Sequence, residues 1–123
     1  MAKSNQKTDE KLQEILKKYD SKNLGICLDT GHCNITSSLY NHSGVVGCLP
    51  EIEDYLCHLH IHDNFGKSDD HSMLFEGNID WEGFVKGLKE INYQGVFMFE
   101  LRKKTNNEEM LRTIKESYYN LIA

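Results

Sequence analysis

Tyr55-Leu56-Cys57-His58-Leu59-His60-Ile61-His62 alternates between apolar and polar residues, the period of a strand with one buried face. Leu59 and Ile61 point one way; His58, His60 and His62 point the other. Half of the chain's 6 histidines fall in those five positions. Upstream, Leu12, Ile15, Leu16 and Tyr19 recur at i, i+3, i+4 and i+7, which predicts an amphipathic helix from Thr8, with residues 1–7 as a flexible tail. Asn23 and Gly25 end it, and the apolar run from Leu24 to Leu28 is too short for a helix. The stretch from Gly31 to Gly47 has no clear period, and Pro50-Glu51 suits the first turn of a short helix. Downstream, residues 64–78 are polar and loop-like. A loop that long in a compact domain is usually functional or mobile. Asp80 is placed to cap a helix with Trp81, Phe84, Val85, Leu88 and Ile91 on its apolar face. Val96-Phe97-Met98-Phe99-Glu100-Leu101 is a further strand, and Asn106 or Asn107 caps a last helix bearing Leu111, Ile114, Tyr118 and Leu121.

The order α-β-(α)-β-α-β-α favours βαβ units and a parallel sheet, and hence a single α/β domain across residues 1–123. In each strand one face is apolar and the other carries histidine or carboxylate, an unusual inner face for a purely structural sheet. The net charge of −5, with 14 basic residues against 19 acidic, argues against a nucleic-acid or anionic-membrane footprint. No apolar run approaches the ~20 residues that span a bilayer. The first residues lack the apolar core of a secretory signal, so a cytoplasmic location is expected. The four cysteines (Cys27, Cys33, Cys48, Cys57) form no CxxC pair and read as reduced thiols, Cys27 and Cys57 as small core hydrophobes.

Chemistry-bearing residues concentrate at strand ends. Asp29 closes the first strand, with His32 three residues on; His60, His62 and Asp63 close the second; Glu100 closes the third. Ligands of parallel α/β folds sit at the carboxyl ends of strands, so these groups converge on one rim. Asp, His and Glu form a donor set that suits Mn²⁺, Zn²⁺, Mg²⁺ or Co²⁺. Singly, each has a plainer role: Asp29 as a turn residue, His60 as a rim histidine, His62-Asp63 as a hydrogen-bonded pair, Asp69 and His71 as solvated loop residues. A carboxylate at Glu100 amid apolar neighbours needs a partner if buried. There is no GxSxG elbow, P-loop or GxGxxG after a strand.

The run Leu24-Gly25-Ile26-Cys27-Leu28-Asp29-Thr30-Gly31-His32 resembles the corresponding segment of the xylose-isomerase-like TIM barrels. That superfamily includes sugar (phosphate) isomerases/epimerases and the endonuclease IV group of apurinic endonucleases. The resemblance continues through His58-Leu59-His60-Ile61-His62-Asp63-Asn64, Asp69-Asp70-His71, Glu76-Gly77-Asn78-Ile79-Asp80-Trp81 and Tyr93-Gln94-Gly95 to Glu100. It implies that the chain is the C-terminal portion of a (β/α)₈ barrel, strands six to eight with their helices. A whole barrel takes ~250 residues.

The resemblance further implies a metal-dependent isomerase/epimerase acting on a ketose sugar through an enediolate. Asp29, His60 and Glu100 are then metal ligands, Glu100 also the catalytic base, and His32 and His62 substrate contacts. The fourth ligand, a glutamate, comes from an earlier strand. In the endonuclease branch His32, Asp69 and His71 match the ligands of an additional zinc, and abasic DNA is the substrate. A barrel fragment without activity is the third alternative. The half-barrel needs its N-terminal half or a second copy of the chain to cover its strand edges. The sequence departs from the family pattern at Phe75, where a glycine usually stands two residues before Gly77, and at His58, an additional inward histidine.

Overall fold

The computed structural model describes the backbone of residues 2–40 and 44–123, with side chains from residue 11 onward except that of residue 40. The elements run α1 (Ala2–Tyr19), β1 (Ile26–Asp29), α2 (Thr30–Tyr40), α3 (Gly44–Ile52), β2 (Leu56–Ile61), α4 (Trp81–Glu90), β3 (Val96–Phe99) and α5 (Asn107–Ile122). The strands form one parallel sheet in the order β1-β2-β3. This is an α/β fold of βαβ units, part of a TIM-barrel-like domain.

The alternation in β2 does what its period requires. Leu59 and Ile61 are fully buried, and with Val45, Leu49, Leu74, Ile79, Trp81, Phe84 and Leu88 they build the core between the sheet and its helices. Burying an apolar side chain of this size stabilises by about 1.5–3 kcal/mol, so this layer dominates the fold's stability. The opposite face carries two rows set by the strand register: Cys27, His58 and Val96, then Asp29, His60 and Met98. Glu100 follows just beyond β3, its backbone N–H donating to the Ile61 carbonyl at 3.0 Å.

Helix α4 begins as its sequence dictates: Asp80 accepts from the Gly83 N–H at 3.0 Å. Asn106, rather than Asn107, caps α5 through the Glu109 N–H at 2.9 Å.

Four features depart from the sequence pattern. Helix α2 occupies most of the stretch without clear period, because Asp29 caps it through the His32 N–H at 2.9 Å. Residues 41–43 of that stretch lie outside the described residues. Pro50 sits in the last turn of α3, not the first turn of a helix. Helix α1 starts at Ala2 and runs through residues assigned to a tail. Cys27 and Cys57 are exposed rather than core residues. Cys27 faces the inner side beside His58, and Cys57 lies at the register shift opposite Ile26 and Cys27. None of the four cysteines is in a disulfide.

Candidate metal centre at the strand ends

Thr30 joins the ends of β1 and β2. Its hydroxyl donates to the His62 carbonyl at 2.8 Å and accepts from the His62 N–H at 3.0 Å, with both residues fully buried. That clamp sets the height of Asp29 against the end of β2. Asp29 Oδ1 then receives His62 Nε2 at 2.6 Å, and Oδ2 lies 3.4 Å from His32 Nδ1. Burial works to raise the Asp29 carboxyl, but the His62 and His32 hydrogen bonds and nearby imidazoles outweigh it and hold it below the usual carboxylate range.

Two groups of donors follow. Asp29, His60 and Glu100 each offer an atom within 4.8 Å of the others, one residue from each strand end. His60 Nδ1 is 3.0 Å from Glu100 Oε2, which gives the Glu100 carboxylate its partner. The second group adds His62 to His32, Asp69 and His71. Asp69 bridges it, with Oδ2 at 3.2 Å from His32 Nε2 and Oδ1 at 3.2 Å from His71 Nε2. Burial works to raise Asp69, and its two histidine partners reverse that and lower it. His71 Nδ1 is 2.8 Å from the Glu100 carbonyl, and that contact, backed by Asp69, raises the imidazole against the effect of burial. His71 adopts φ 50, in the left-handed region, so backbone strain is spent where the histidine must turn inward.

The family resemblance implies a substrate contact at His62, and its plainer role is a pair with Asp63; the structure separates the two residues. His62 is fully buried, stacked on His71 with ring centroids 3.9 Å apart, and stands behind Asp29. Its Nδ1 has no hydrogen-bond partner among the described residues. Gly31 makes room for it: a Cβ there would collide with the imidazole ring. Asp63 turns the other way and is fully buried. It accepts the backbone N–H groups of Asn64, Phe75, Gly77 and Ile79 and the indole N–H of Trp81. Asn64 holds the same loop, its amide donating to the Gly31 carbonyl at 3.0 Å and its Oδ1 accepting from Asn34 at 2.8 Å. The 64–78 loop thereby becomes a fixed wall carrying Asp69 and His71. Motif position placed Asp63 and Asn64 at the strand end, but nothing in their spacing revealed the loop they organise.

A βαβαβ layer with carboxylates and imidazoles gathered at the carboxyl ends of its strands defines part of an α/β-barrel domain with a polar rim. The family model described as xylose isomerase-like TIM barrel matches residues 1–120, and the chain belongs to that family. It is 40% identical over 119 residues to an uncharacterized protein of Methanocaldococcus jannaschii, covering 94% of this chain and 40% of that protein. A mannonate dehydratase of Oceanobacillus iheyensis is 32% identical over 103 residues, covering 72% of this chain and 26% of the dehydratase. Among solved structures, a D-tagatose 3-epimerase-like protein superposes with TM-score 0.59 at 35% identity, over 94% of this chain and 43% of its own. The 3-keto-D-glucoside 4-epimerase of E. coli shares the fold, with TM-score 0.65 at 23% identity over 89% of this chain and 37% of its own. The chain thus spans about two fifths of the curated relative from Methanocaldococcus. Among the described residues no helix is long and apolar enough to cross a membrane.

Proposed function

We propose that this chain is the carboxyl-terminal part, strands six to eight, of a metal-dependent sugar isomerase or epimerase acting on a ketose. One observation carries the reading: Asp29, His60 and Glu100, from three successive strand ends, bring their donor atoms within 4.8 Å. The likeness to a D-tagatose 3-epimerase-like protein supports the substrate class.

The donors fit a divalent ion, being two carboxylates and an imidazole. When bound there, Mn²⁺, Zn²⁺, Mg²⁺ or Co²⁺ supplies Lewis-acid polarisation of a carbonyl. Asp29 is held ionised by His62 and His32, so it keeps its charge at neutral pH. Glu100, half-exposed, moves the proton on one face of the carbon next to the carbonyl. His32, exposed at the rim, contacts a sugar oxygen. His62, buried behind Asp29, acts as a positioning residue that aims that carboxylate. Inverting a carbon needs a second base on the opposite face, which the family resemblance assigns to a glutamate of an earlier strand.

A second reading is an endonuclease-IV-like zinc phosphodiesterase. The His32–Asp69–His71 cluster favours it; the net charge of −5 opposes it. Deuterium exchange at the carbon next to the carbonyl, run over a ketose panel beside abasic-site DNA nicking, separates the two. The 123 residues should show negligible exchange, and the chain joined to the first five strands of a close relative should exchange without nicking. Nicking without exchange assigns the chain to the phosphodiesterases. Rapid epimerisation by the 123 residues alone overturns the two-base account.

A further inference from the structure

The inner sheet face carries a third donor group, two of whose members, Cys27 and His58, the sugar chemistry leaves unused. Strand register sets Cys27 of β1 opposite His58 of β2, and His60 lies two residues further along the same face. The Cys27 sulfur and one nitrogen from each imidazole lie within 4.8 Å of one another. The rings of His58 and His60 meet edge to face with centroids 5.2 Å apart. In the 123-residue chain Cys27 is exposed and His58 and His60 are half-buried, so an ion can reach all three there.

We propose that Cys27, His58 and His60 form a second, overlapping thiophilic metal site, suited to Zn²⁺ or a softer ion rather than Mg²⁺ or Mn²⁺. The reason is donor chemistry. One sulfur and two imidazole nitrogens match the preference of Zn²⁺ for tetrahedral S/N ligation with one position open. The Asp29–His60–Glu100 group, with two carboxylates, suits harder ions. The two sites share His60, whose Nδ1 lies 3.0 Å from Glu100. A soft ion on Cys27 and His58 therefore competes with Glu100 for that imidazole. This inference stands apart from the sugar reading, because it needs only the three donors.

The test is a titration of the reduced 123-residue chain with Co²⁺, a spectroscopic stand-in for Zn²⁺. The expected result is a saturable thiolate-to-cobalt charge-transfer band that Zn²⁺ abolishes and Mg²⁺ does not. Cys27→Ser should remove the band, and His58→Gln should weaken binding by roughly tenfold or more, at least the loss usual for a supporting ligand. Cys57→Ser and Cys48→Ser should retain the band, which guards against a misfolded Cys27 variant being misread. Glu100→Gln should also retain it, because that side chain serves only the harder group. The site is overturned by absence of the band from the native chain, by its persistence in Cys27→Ser, or by its loss in Cys57→Ser, Cys48→Ser or Glu100→Gln.

Discussion

The indole N–H of Trp81 donates to Asp63 Oδ2 at 2.8 Å, with both side chains buried to 1% exposure or less. This bond ties the first residue of α4 to the second residue past β2, and four backbone N–H groups converge on the same carboxylate. A buried carboxylate is costly unless every lone pair is engaged, and here the loop's own backbone engages them. Asp63→Asn keeps the shape but turns one acceptor into a donor facing other donors. The expected loss is about 2–4 kcal/mol, with faster amide exchange at Phe75, Gly77 and Ile79. Urea melts together with hydrogen exchange measure both; an unchanged midpoint would remove Asp63 from its organising role.

Phe75 occupies φ 71 and is exposed, at the position where the family pattern usually has glycine. A side chain in the left-handed region costs roughly 1–2 kcal/mol, and an exposed ring recovers little of it. Phe75→Gly is therefore expected to raise stability by up to about 1 kcal/mol, after the unfolded chain's gain in freedom is subtracted. Its N–H still donates to Asp63. A lower thermal midpoint would mean that the ring contributes packing its exposure conceals.

Gly31 leaves space for one thing, the His62 ring. In Gly31→Ala the new methyl must displace that imidazole or shift the turn, a strain of about 1–3 kcal/mol. Asp29 then loses its 2.6 Å partner, and with it a cause of its depressed proton affinity. The expected result is an Asp29 carboxyl that titrates at higher pH, read by NMR, beside a lowered melting temperature. An unmoved Asp29 titration would show that His62 does not hold it.

These residues also show where sequence pattern stops. Asp29, His60 and Glu100 were legible because strand period fixes their face and parallel order fixes their end. Helix α2 was not, since Gly31, Asn34, Thr36, Ser37 and Ser38 are weak helix formers. It exists through the Asp29 cap, a local contact, and through the Thr30 clamp, a tertiary one that no sequence period marks. The role of Asp63 was hidden for a related reason. Four of its five donors are backbone groups as far as 16 residues away, which no side-chain pattern marks.

Calorimetry with Mn²⁺ reports on the carboxylate-rich group, because manganese prefers oxygen and nitrogen donors to thiolate. Glu100→Gln should weaken Mn²⁺ binding by roughly tenfold or more, the scale of a lost ligand. The His60–Glu100 contact goes with it. Identical binding by the native chain and Glu100→Gln would take Glu100 out of the site.

The final prediction concerns association of the 123-residue chain. Among the described residues β1 and β3 are both sheet edges, and no strand covers their outer hydrogen-bonding groups. Such edges invite pairing with another chain. Val96 and Met98 on the inner face are 55% and 45% exposed, and among the described side chains of α1 only Leu16 is buried while Ile15 and Tyr19 lie open. The accessible surface is 8296 Å², against roughly 6,800 Å² for a compact monomer of 14.2 kDa. Excess surface of this kind, apolar and edged, lowers its free energy by self-association. Light scattering is expected to give a dimer or larger assembly whose thermal midpoint rises with protein concentration. A monodisperse monomer melting cooperatively at a concentration-independent temperature would show that three strands and their helices satisfy this sheet unaided.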